Sequence, residues 1–333
     1  MIEFRSLTLE EICDLLAVPA NTLILFHRNP DADAIGSAFA LKKILSDLGS
    51  RAWCVCSDET PERLAFLADD EQESVLPSSI PQDMTVERIM SVDSASPAQL
   101  GGLFALYEGR IDLMIDHHET GEVYANHYVR KDAAATGEIM FDLVKRLATE
   151  ERVTITDRLC TRLYAAISAD TGGFRFSNVT SQTHKRAAEL VASGIDCAAI
   201  NHRLFDCNSM ERLRATAAGI SNLHVFADGK IAVITFPYAL KVALGLSDTD
   251  LDGLVEIARS LMGVCVAIAI RQPSADGVFR VSTRSSCTYN VAELCARFDG
   301  GGHKKAAGCT LYAADMEEAM NQIVSAIDFL ALN

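Results

Sequence analysis

The chain has 333 residues, 49% of them hydrophobic and 23% charged, an ordinary globular balance with enough apolar material for two separate cores. No apolar run approaches the ~20 residues that span a bilayer, and residues 1–5 carry no basic segment leading into an apolar one, so a cytoplasmic protein is expected. The net charge of −15 disfavours binding to long duplex nucleic acid, which needs a basic footprint, but leaves small phosphorylated ligands open.

In chain order, Thr8-Leu9-Glu10-Glu11 is a capping-box pattern that starts a helix to about Leu16. The apolar run Thr22 to Phe26 reads as a buried strand. Apolar residues at 35, 38, 39, 41, 44, 45 and 48 predict a helix over 34–48, ended by Gly49. Further strands are expected over 52–56, 88–92 and 111–115, with a helix near 97–106 between the last two. Helices over 138–148, 156–169 and 181–193 follow. This alternation implies an α/β unit, a parallel sheet with helices on both faces.

The pattern changes after about residue 195. A helical connection is expected over 199–220. Asp228-Gly229 then separates two strand-like runs within 224–236, a hairpin signal, and Asp276-Gly277 separates runs at 264–270 and 278–283. With helices near 249–260, 290–298 and 315–330, these strands predict a smaller α+β unit. The expected division is 1–195, a helical linker 196–220, and 221–333. The ten cysteines include no Cys-x-x-Cys pair and read as reduced thiols of a reducing compartment. From Arg271 to Lys305 six basic residues stand against three acidic ones, so this stretch is locally positive in an acidic chain.

The residues that carry chemistry stand at the ends of these elements. Phe26 runs into His27-Arg28-Asn29-Pro30-Asp31-Ala32-Asp33, Val92 into Asp93, and Ile115 into Asp116-His117-His118. Asp170 opens the turn Asp170-Thr171-Gly172-Gly173-Phe174 after a helical stretch. In open α/β sheets, ligands bind at such strand ends. Asp31 and Asp33, two apart in an extended segment, would face one space that His27 reaches. Each segment also has a plainer reading. Asp33 is a plausible N-cap, Asp93 an ordinary strand-ending aspartate, and the histidine pair one satisfied ring beside an exposed one. Together, however, they gather four carboxylates and three imidazoles at one rim, the makings of a metal site. Oxygen and nitrogen ligands without thiolate suit Mn²⁺, with Mg²⁺ or Co²⁺ as alternatives. The charges of Asp31, Asp33, Asp93 and Asp170 would offset two divalent ions, and without cations they repel one another. Two ions about 3.5–4 Å apart serve in-line attack on phosphorus by a bridging water.

These residues resemble the DHH phosphoesterases. The likeness runs in order through His27 to Ser37, Ser91-Val92-Asp93, Asp116-His117-His118 and Asp170 to Phe174. Ala134-Ala135-Thr136-Gly137-Glu138 is similar to the family's segment after its namesake triplet. The C-terminal part resembles the DHH-associated nucleotide-binding domain, with Gly300-Gly301-Gly302-His303-Lys304-Lys305-Ala306-Ala307-Gly308 as its signature and Ser282-Thr283-Arg284-Ser285 as the strand before it. The resemblance implies that His27, Asp31, Asp93 and Asp170 hold one ion and that Asp33, Asp93, His117 and Asp170 hold the other. It also implies that His118 serves the scissile phosphate, as electrostatic partner or proton donor, while Asp116 orients the histidines. Gly300, Gly301, Gly302 and His303 would bind an anionic oxygen at the start of a helix. Arg284 and Ser285 would complete this clamp on substrate phosphate.

The function so implied is hydrolysis of short oligoribonucleotides and linear dinucleotides, and dephosphorylation of adenosine 3′,5′-bisphosphate to AMP. One unit would hold the metals and the other would grip a substrate end. The alternatives are a cyclic-dinucleotide phosphodiesterase, a pyrophosphatase or exopolyphosphatase, a longer RecJ-like DNA exonuclease, and a catalytically silent nucleotide sensor. A monomer or homodimer is expected, with no membrane partner.

Overall fold

The structure is a computed structural model that describes residues 4–68, 72 and 74–329. The first three residues of the segment read for a leader, and the last residue of the helix expected to reach 330, lie outside the described residues. The chain divides into two compact units, one up to Cys207 and one from Asn208 on.

In the first unit, the capping box forms as expected. Glu11 N donates to Thr8 Oγ1 and Thr8 N to Glu11 Oε2, opening α1 (Leu9–Ala17). There follow β1 (Thr22–Leu25), α2 (Ala32–Asp47), β2 (Ala52–Val55) and β3 (Arg88–Val92). The single helix expected near 97–106 is two, α3 (Pro97–Leu100) and α4 (Gly102–Tyr107), because Gly101 turns the chain at φ 60°. Then come β4 (Leu113–Asp116), an unforeseen β5 (Asn126–Val129), α5 (Thr136–Thr149), α6 (Asp157–Asp170) and α7 (Ser181–Ala192). The short α8 (Cys197–Asn201) runs into a π-helical turn over His202–Asp206, so the helix expected over 199–220 is broken.

The sheet is all-parallel with strand order β2-β1-β3-β4-β5. Residues alternate between its faces. Ile24, Met90, Val92, Leu113 and Ile115 pack under α2, α5 and α6, while Leu23, Leu25, Ile89 and Met114 pack under α3 and α4. Burial on both faces explains why the strand sequences are continuous apolar runs. In this order the chain leaves β1 toward both neighbours, so a crevice opens at the carboxyl ends of β1 and β3. Three helices converge there because their contacts are small. A Cβ on Gly36 would lie 2.7 Å from the Arg162 carbonyl, and one on Gly137 would lie 2.6 Å from Ala166 Cβ.

The second unit begins with α9 (Met210–Ser221), then β6 (Leu223–Phe226), β7 (Ile231–Phe236), α10 (Tyr238–Ala243), α11 (Leu254–Ser260), β8 (Val266–Arg271), β9 (Val278–Ser285) and α12 (Val291–Ala296). It ends with β10 (Gly301–His303), β11 (Ala306–Tyr312) and α13 (Met316–Ser325). Both expected hairpins form, β6–β7 and β8–β9. The six strands make one mixed sheet in the order β10-β11-β9-β8-β7-β6, parallel only between β7 and β8. One face carries Val233, Ile268 and Phe279 in a core with α12 and α13. The other carries Ile234, Phe236 and Ala269 in a core with α11.

The expectation that all cysteines are reduced thiols fails at one pair. Cys265 and Cys287 are joined as a disulfide, with a Cα–Cα separation of 5.1 Å. They stand at the start of β8 and just past β9, neighbouring strands, which brings together residues 22 apart in sequence. No helix among the described residues is long and apolar enough to cross a membrane.

Substituting Gly36→Val is expected to lower unfolding stability by about 2 kcal/mol or more in urea denaturation, because the side chain must displace the backbone of α6. An unchanged midpoint would mean that α2 and α6 are not in such close contact.

Candidate metal centre

The centre is built where these elements end. Asp31 is the N-cap of α2, its Oδ1 accepting the backbone N–H groups of Asp33 and Ala34, each at 3.0 Å. Capping therefore falls to Asp31 rather than to Asp33. The two carboxylates do not share an extended segment, because the helix starts at Ala32 and Asp33 sits in its first turn. Asp33 is completely buried and reaches across to a different helix. It accepts Thr136 N at 2.7 Å, Gly137 N at 2.8 Å and Ser37 Oγ at 3.1 Å. It thereby caps α5, whose own N-cap residue, Ala135, offers no side-chain acceptor.

Asp93 follows β3 with φ 52°, in the left-handed region, a strained backbone of the kind that clusters at functional sites. Its Oδ1 accepts the Thr136 hydroxyl at 2.9 Å. Asp170 is the last residue of α6 rather than the opening of a separate turn. A carboxylate at the negative end of a helix is electrostatically disfavoured unless a cation sits nearby. The turn after it is made by Gly172, Gly173 and Phe174, all at positive φ. Asn178 ties that turn down, donating to the Asp170 and Ala134 carbonyls at 3.0 Å each.

The expected histidines and aspartates converge. His27 Nε2 lies 3.5 Å from Asp93 Oδ2 and 3.6 Å from Asp31 Oδ1. His117 Nε2 lies 3.2 Å from Asp170 Oδ2, 3.7 Å from Asp93 Oδ1 and 3.9 Å from Asp33 Oδ2. Three clusters have ligand atoms within 4.8 Å of one another: His27 with Asp31 and Asp93, Asp33 with His117 and Asp170, and Asp93 with His117 and His118. Asp93 and His117 each belong to two of them. The ring orientations suit ligation. His27 Nδ1 lies 2.8 Å from the Arg28 carbonyl and His117 Nδ1 lies 3.3 Å from that of Ala133, so in each ring Nε2 is the nitrogen turned to the carboxylates. His117 Nε2 is buried yet has no hydrogen-bond partner among the described residues. A buried polar nitrogen left unpaired among carboxylates is costly, and a divalent cation would satisfy it. The donor set therefore fits a metal.

The electrostatics agree. Burial alone would push His27 down, but the carboxylates of Asp31 and Asp93 reverse this and hold it well above its ordinary value. His117, likewise opposed by burial, is driven up to about 11 by Asp170, Asp93 and Asp33. Burial and the neighbouring carboxylates Asp93 and Asp170 raise Asp33 well above the carboxylate range. Burial raises Asp170 to about 6 against the pull of His117. Asp93 goes the other way: burial would raise it, but His27, His117 and His118 hold it below the ordinary range. Protons on the imidazoles thus stand where cations would.

Asp116 holds His118 at the edge of the same centre, Oδ1 to Nδ1 at 2.7 Å. Burial opposes protonation of His118, and Asp116 with Asp93 overcomes it, raising its pKa. The sequence reading placed Ser37 and Thr136 inside its motifs without giving them a role, and it missed Asn178. Only Thr136-Gly137, at the start of a helix with no side-chain cap of its own, carried a usable signal.

In the second unit the expected clamp residues are only partly brought together. Arg284, Ala306 and His303 are directly paired across β9, β11 and β10 and so share a face, with Ser282, Gly308 and Gly301 paired beside them. Arg284 is already engaged, its Nε donating to Glu256 Oε1 at 2.7 Å and its Nη1 to the Thr283 carbonyl at 3.0 Å. Ser285 points to the opposite, buried face, and its hydroxyl donates to the Cys287 carbonyl at 3.1 Å. No helix follows His303, because residues 301–303 are strand β10. The glycines are needed there for closeness: a Cβ on Gly300 would lie 2.3 Å from the Gly308 carbonyl, and one on Gly302 would lie 2.6 Å from that of Ala306.

An all-parallel sheet that gathers histidines and aspartates at the carboxyl ends of its strands defines an α/β protein with a candidate metal centre. Comparison with known proteins narrows it. Residues 21–167 match the DHH family N-terminal domain and residues 230–329 match the DHHA1 domain. A bifunctional oligoribonuclease and PAP phosphatase, NrnA, from Thermus thermophilus is 31% identical over 94% of this chain and 91% of its own. A cyclic-di-AMP phosphodiesterase, GdpP, from Geobacillus thermodenitrificans is 25% identical over 94% of this chain but only 48% of its own. An exopolyphosphatase-related protein from Bacteroides fragilis shares the fold, with TM-score 0.86 at 23% identity, covering 96% of this chain and 94% of that one. The chain belongs to the DHH family of phosphoesterases.

Thr136→Val keeps the β-branched shape and the backbone donor but removes the hydroxyl on Asp93. It is expected to weaken Mn²⁺ binding about 10- to 100-fold in calorimetry while the fold is retained. Binding of the ion should also expel protons. His117, driven up to about 11, must lose its proton to ligate, and the carboxylates that raise His27 act in the same direction, so apparent affinity should strengthen as pH rises. Calorimetry in buffers of different ionisation heat should show about one proton or more released per ion at pH 7; no release would refute the carboxylate-held imidazoles.

Proposed function

We propose that this phosphoesterase hydrolyses short oligoribonucleotides, including linear dinucleotides, to mononucleotides, and converts adenosine 3′,5′-bisphosphate to AMP, in the cytoplasm. The observation that carries the reading is His117, whose buried Nε2 is aimed at three carboxylates without a hydrogen bond. It is supported by the full-length similarity to an oligoribonuclease and PAP phosphatase.

In this proposal His27, Asp31, Asp93 and Asp170 hold one divalent ion, and Asp33, Asp93, His117 and Asp170 hold a second. Mn²⁺ is the assigned ion because the donors are carboxylate oxygens and imidazole nitrogens with no thiolate. When bound, such ions neutralise phosphate oxygens and make a water acidic enough to attack phosphorus. The chain's own residues do the rest. Thr136 and Ser37 fix the carboxylates in place through the hydrogen bonds already described. Asp116 holds one ring nitrogen of His118 and favours its protonated form, which suits His118 to give a proton from the other nitrogen to the leaving oxygen. Arg284, with His303 and the backbone of Gly301 on the same sheet face, would grip a terminal phosphate of the substrate, and the local positive charge from 271 to 305 favours that ligand. Ser285, on the buried face, and Gly300 and Gly302, packed against β11, would support the strands that carry this grip rather than touch the phosphate.

The test is a panel of initial rates with Mn²⁺ on RNA dimers to pentamers, adenosine 3′,5′-bisphosphate, pyrophosphate, and linear and cyclic dinucleotides. Turnover of the dimers and the bisphosphate is expected. A preference for cyclic dinucleotides would favour the activity of the GdpP-type relatives, and binding without turnover would favour a sensor. Asp93→Ala is expected to abolish hydrolysis, and undiminished rates would refute its shared-ligand role. Arg284→Ala is expected to raise KM for RNA dimers about tenfold or more, as loss of a charged phosphate contact would, with metal content retained. Equal loss of metal would contradict its placement in the grip.

A further inference from the structure

Just past β9, the strand that carries Arg284, Cys287 is joined to Cys265 at the start of the neighbouring β8. We propose that Cys265 and Cys287 form a reversible thiol–disulfide couple that sets how firmly the phosphate-gripping segment of the second unit is held. The inference rests on the proposed role of Arg284 and residues 301–303 as that grip.

The connections around Cys287 carry it. Beyond Arg284, Ser285 N donates to the Lys305 carbonyl at 2.9 Å, and Ser286 N donates to the Cys265 carbonyl at 2.8 Å. The Cys287 carbonyl accepts both the Ser285 hydroxyl and Lys305 Nζ. Tyr289 N donates to Cys287 Sγ at 3.4 Å, and Val291 N to the Lys304 carbonyl at 3.1 Å. Residues 285–291 therefore lie between the start of β8 on one side and the Lys304-Lys305 turn on the other. That turn joins β10 to β11 and pairs His303 with Ala306, which in turn pairs with Arg284 on β9. The disulfide is the covalent anchor of this segment to β8. When it opens, residues 286–290 keep their hydrogen bonds and the packing of Cys287 and Tyr289 on the core but no covalent tie to β8, and the turn that positions His303 loses a fixed neighbour.

The chemistry is asymmetric. Cys265 is buried and Cys287 half-buried, so Cys287 Sγ is the sulfur open to attack. A dithiol attacks it, the S–S bond breaks, and Cys265 leaves as a thiolate that takes a proton. The second thiol of the reagent then closes on the mixed disulfide and releases Cys287. Two electrons and two protons pass to the protein, and the reagent ends as its own disulfide. In a reducing compartment, disulfides that form are more often regulatory than structural.

The test uses the full chain, oxidised with glutathione disulfide or reduced with dithiothreitol and then desalted. After denaturation and alkylation, mass spectrometry should find eight modified cysteines and a 265–287 cross-link in the oxidised sample, against ten modified cysteines after reduction. Ten modified cysteines after oxidation would overturn the couple. Hydrogen exchange should quicken over 285–291 and 301–306 on reduction, and the double variant Cys265→Ser, Cys287→Ser should match the reduced state under both treatments. Exchange that is the same in both states would overturn the anchoring role. KM for a 5′-phosphorylated diribonucleotide should rise about threefold or more on reduction, with bound manganese unchanged. Equal KM values in the two states would overturn the link to the grip. Absence of hydrolysis in both states would instead count against the substrate reading alone, because alkylation and exchange do not depend on it.

Discussion

The carboxylate of Asp33 is the interaction on which the first unit turns. It is buried, with no arginine or lysine ion pair among the described residues, and the N-terminal amides of another helix hydrogen-bond it. Two requirements meet in it. Helix α5 needs an acceptor for its opening N–H groups, which Ala135 does not provide. The crevice needs a negative charge that does not escape to solvent. A single side chain from α2 serves both, and it can do so only because Gly36, Gly137 and Ala166 let α2, α5 and α6 approach at backbone distance. The fold and the charge of the site are therefore coupled, and a change in one helix contact displaces a carboxylate.

Around Asp33 the centre holds more negative charge than the protein alone neutralises comfortably. Asp31, Asp33, Asp93 and Asp170 approach the same space, Asp170 at the unfavourable end of a helix. Protonated imidazoles, an elevated Asp170 and a raised Asp33 are what such a cluster adopts without divalent charge. The same arrangement leaves His117 Nε2 facing these carboxylates with no hydrogen bond among the described residues. Unrelieved repulsion and an unpaired nitrogen are both removed by one class of ligand, a divalent cation, and this ties the architecture to phosphoester hydrolysis.

The second unit follows a different logic. Its glycines serve strand closeness first: Gly300 and Gly302 let β10 lie against β11 where any side chain would collide. What remains for a ligand is one sheet face carrying Arg284 and His303 over small residues. Arg284 is held by Glu256 and by its own strand, which fixes its guanidinium on that face.

Much of this was legible in the sequence for local reasons. Apolar runs, helical spacing, the Thr8–Glu11 capping box and the Asp-Gly turns depend on neighbours a few residues away, and the α/β and α+β assignments followed from them. His27, Asp93, His117 and Asp170 were likewise found from where they stand at element ends. Tertiary structure decided what distant partners determine. Asp31 caps α2 and Asp33 caps α5, because the acceptor for Thr136 and Gly137 comes from a hundred residues earlier in the chain. Residues 301–303 form a strand rather than lead into a helix, because β11 is available to pair with them. Cys265 reaches Cys287 because β8 and β9 are neighbours. Spacing along the chain records a residue's own conformation, whereas hydrogen bonds, close packing and sulfur pairing across the fold depend on which surfaces meet.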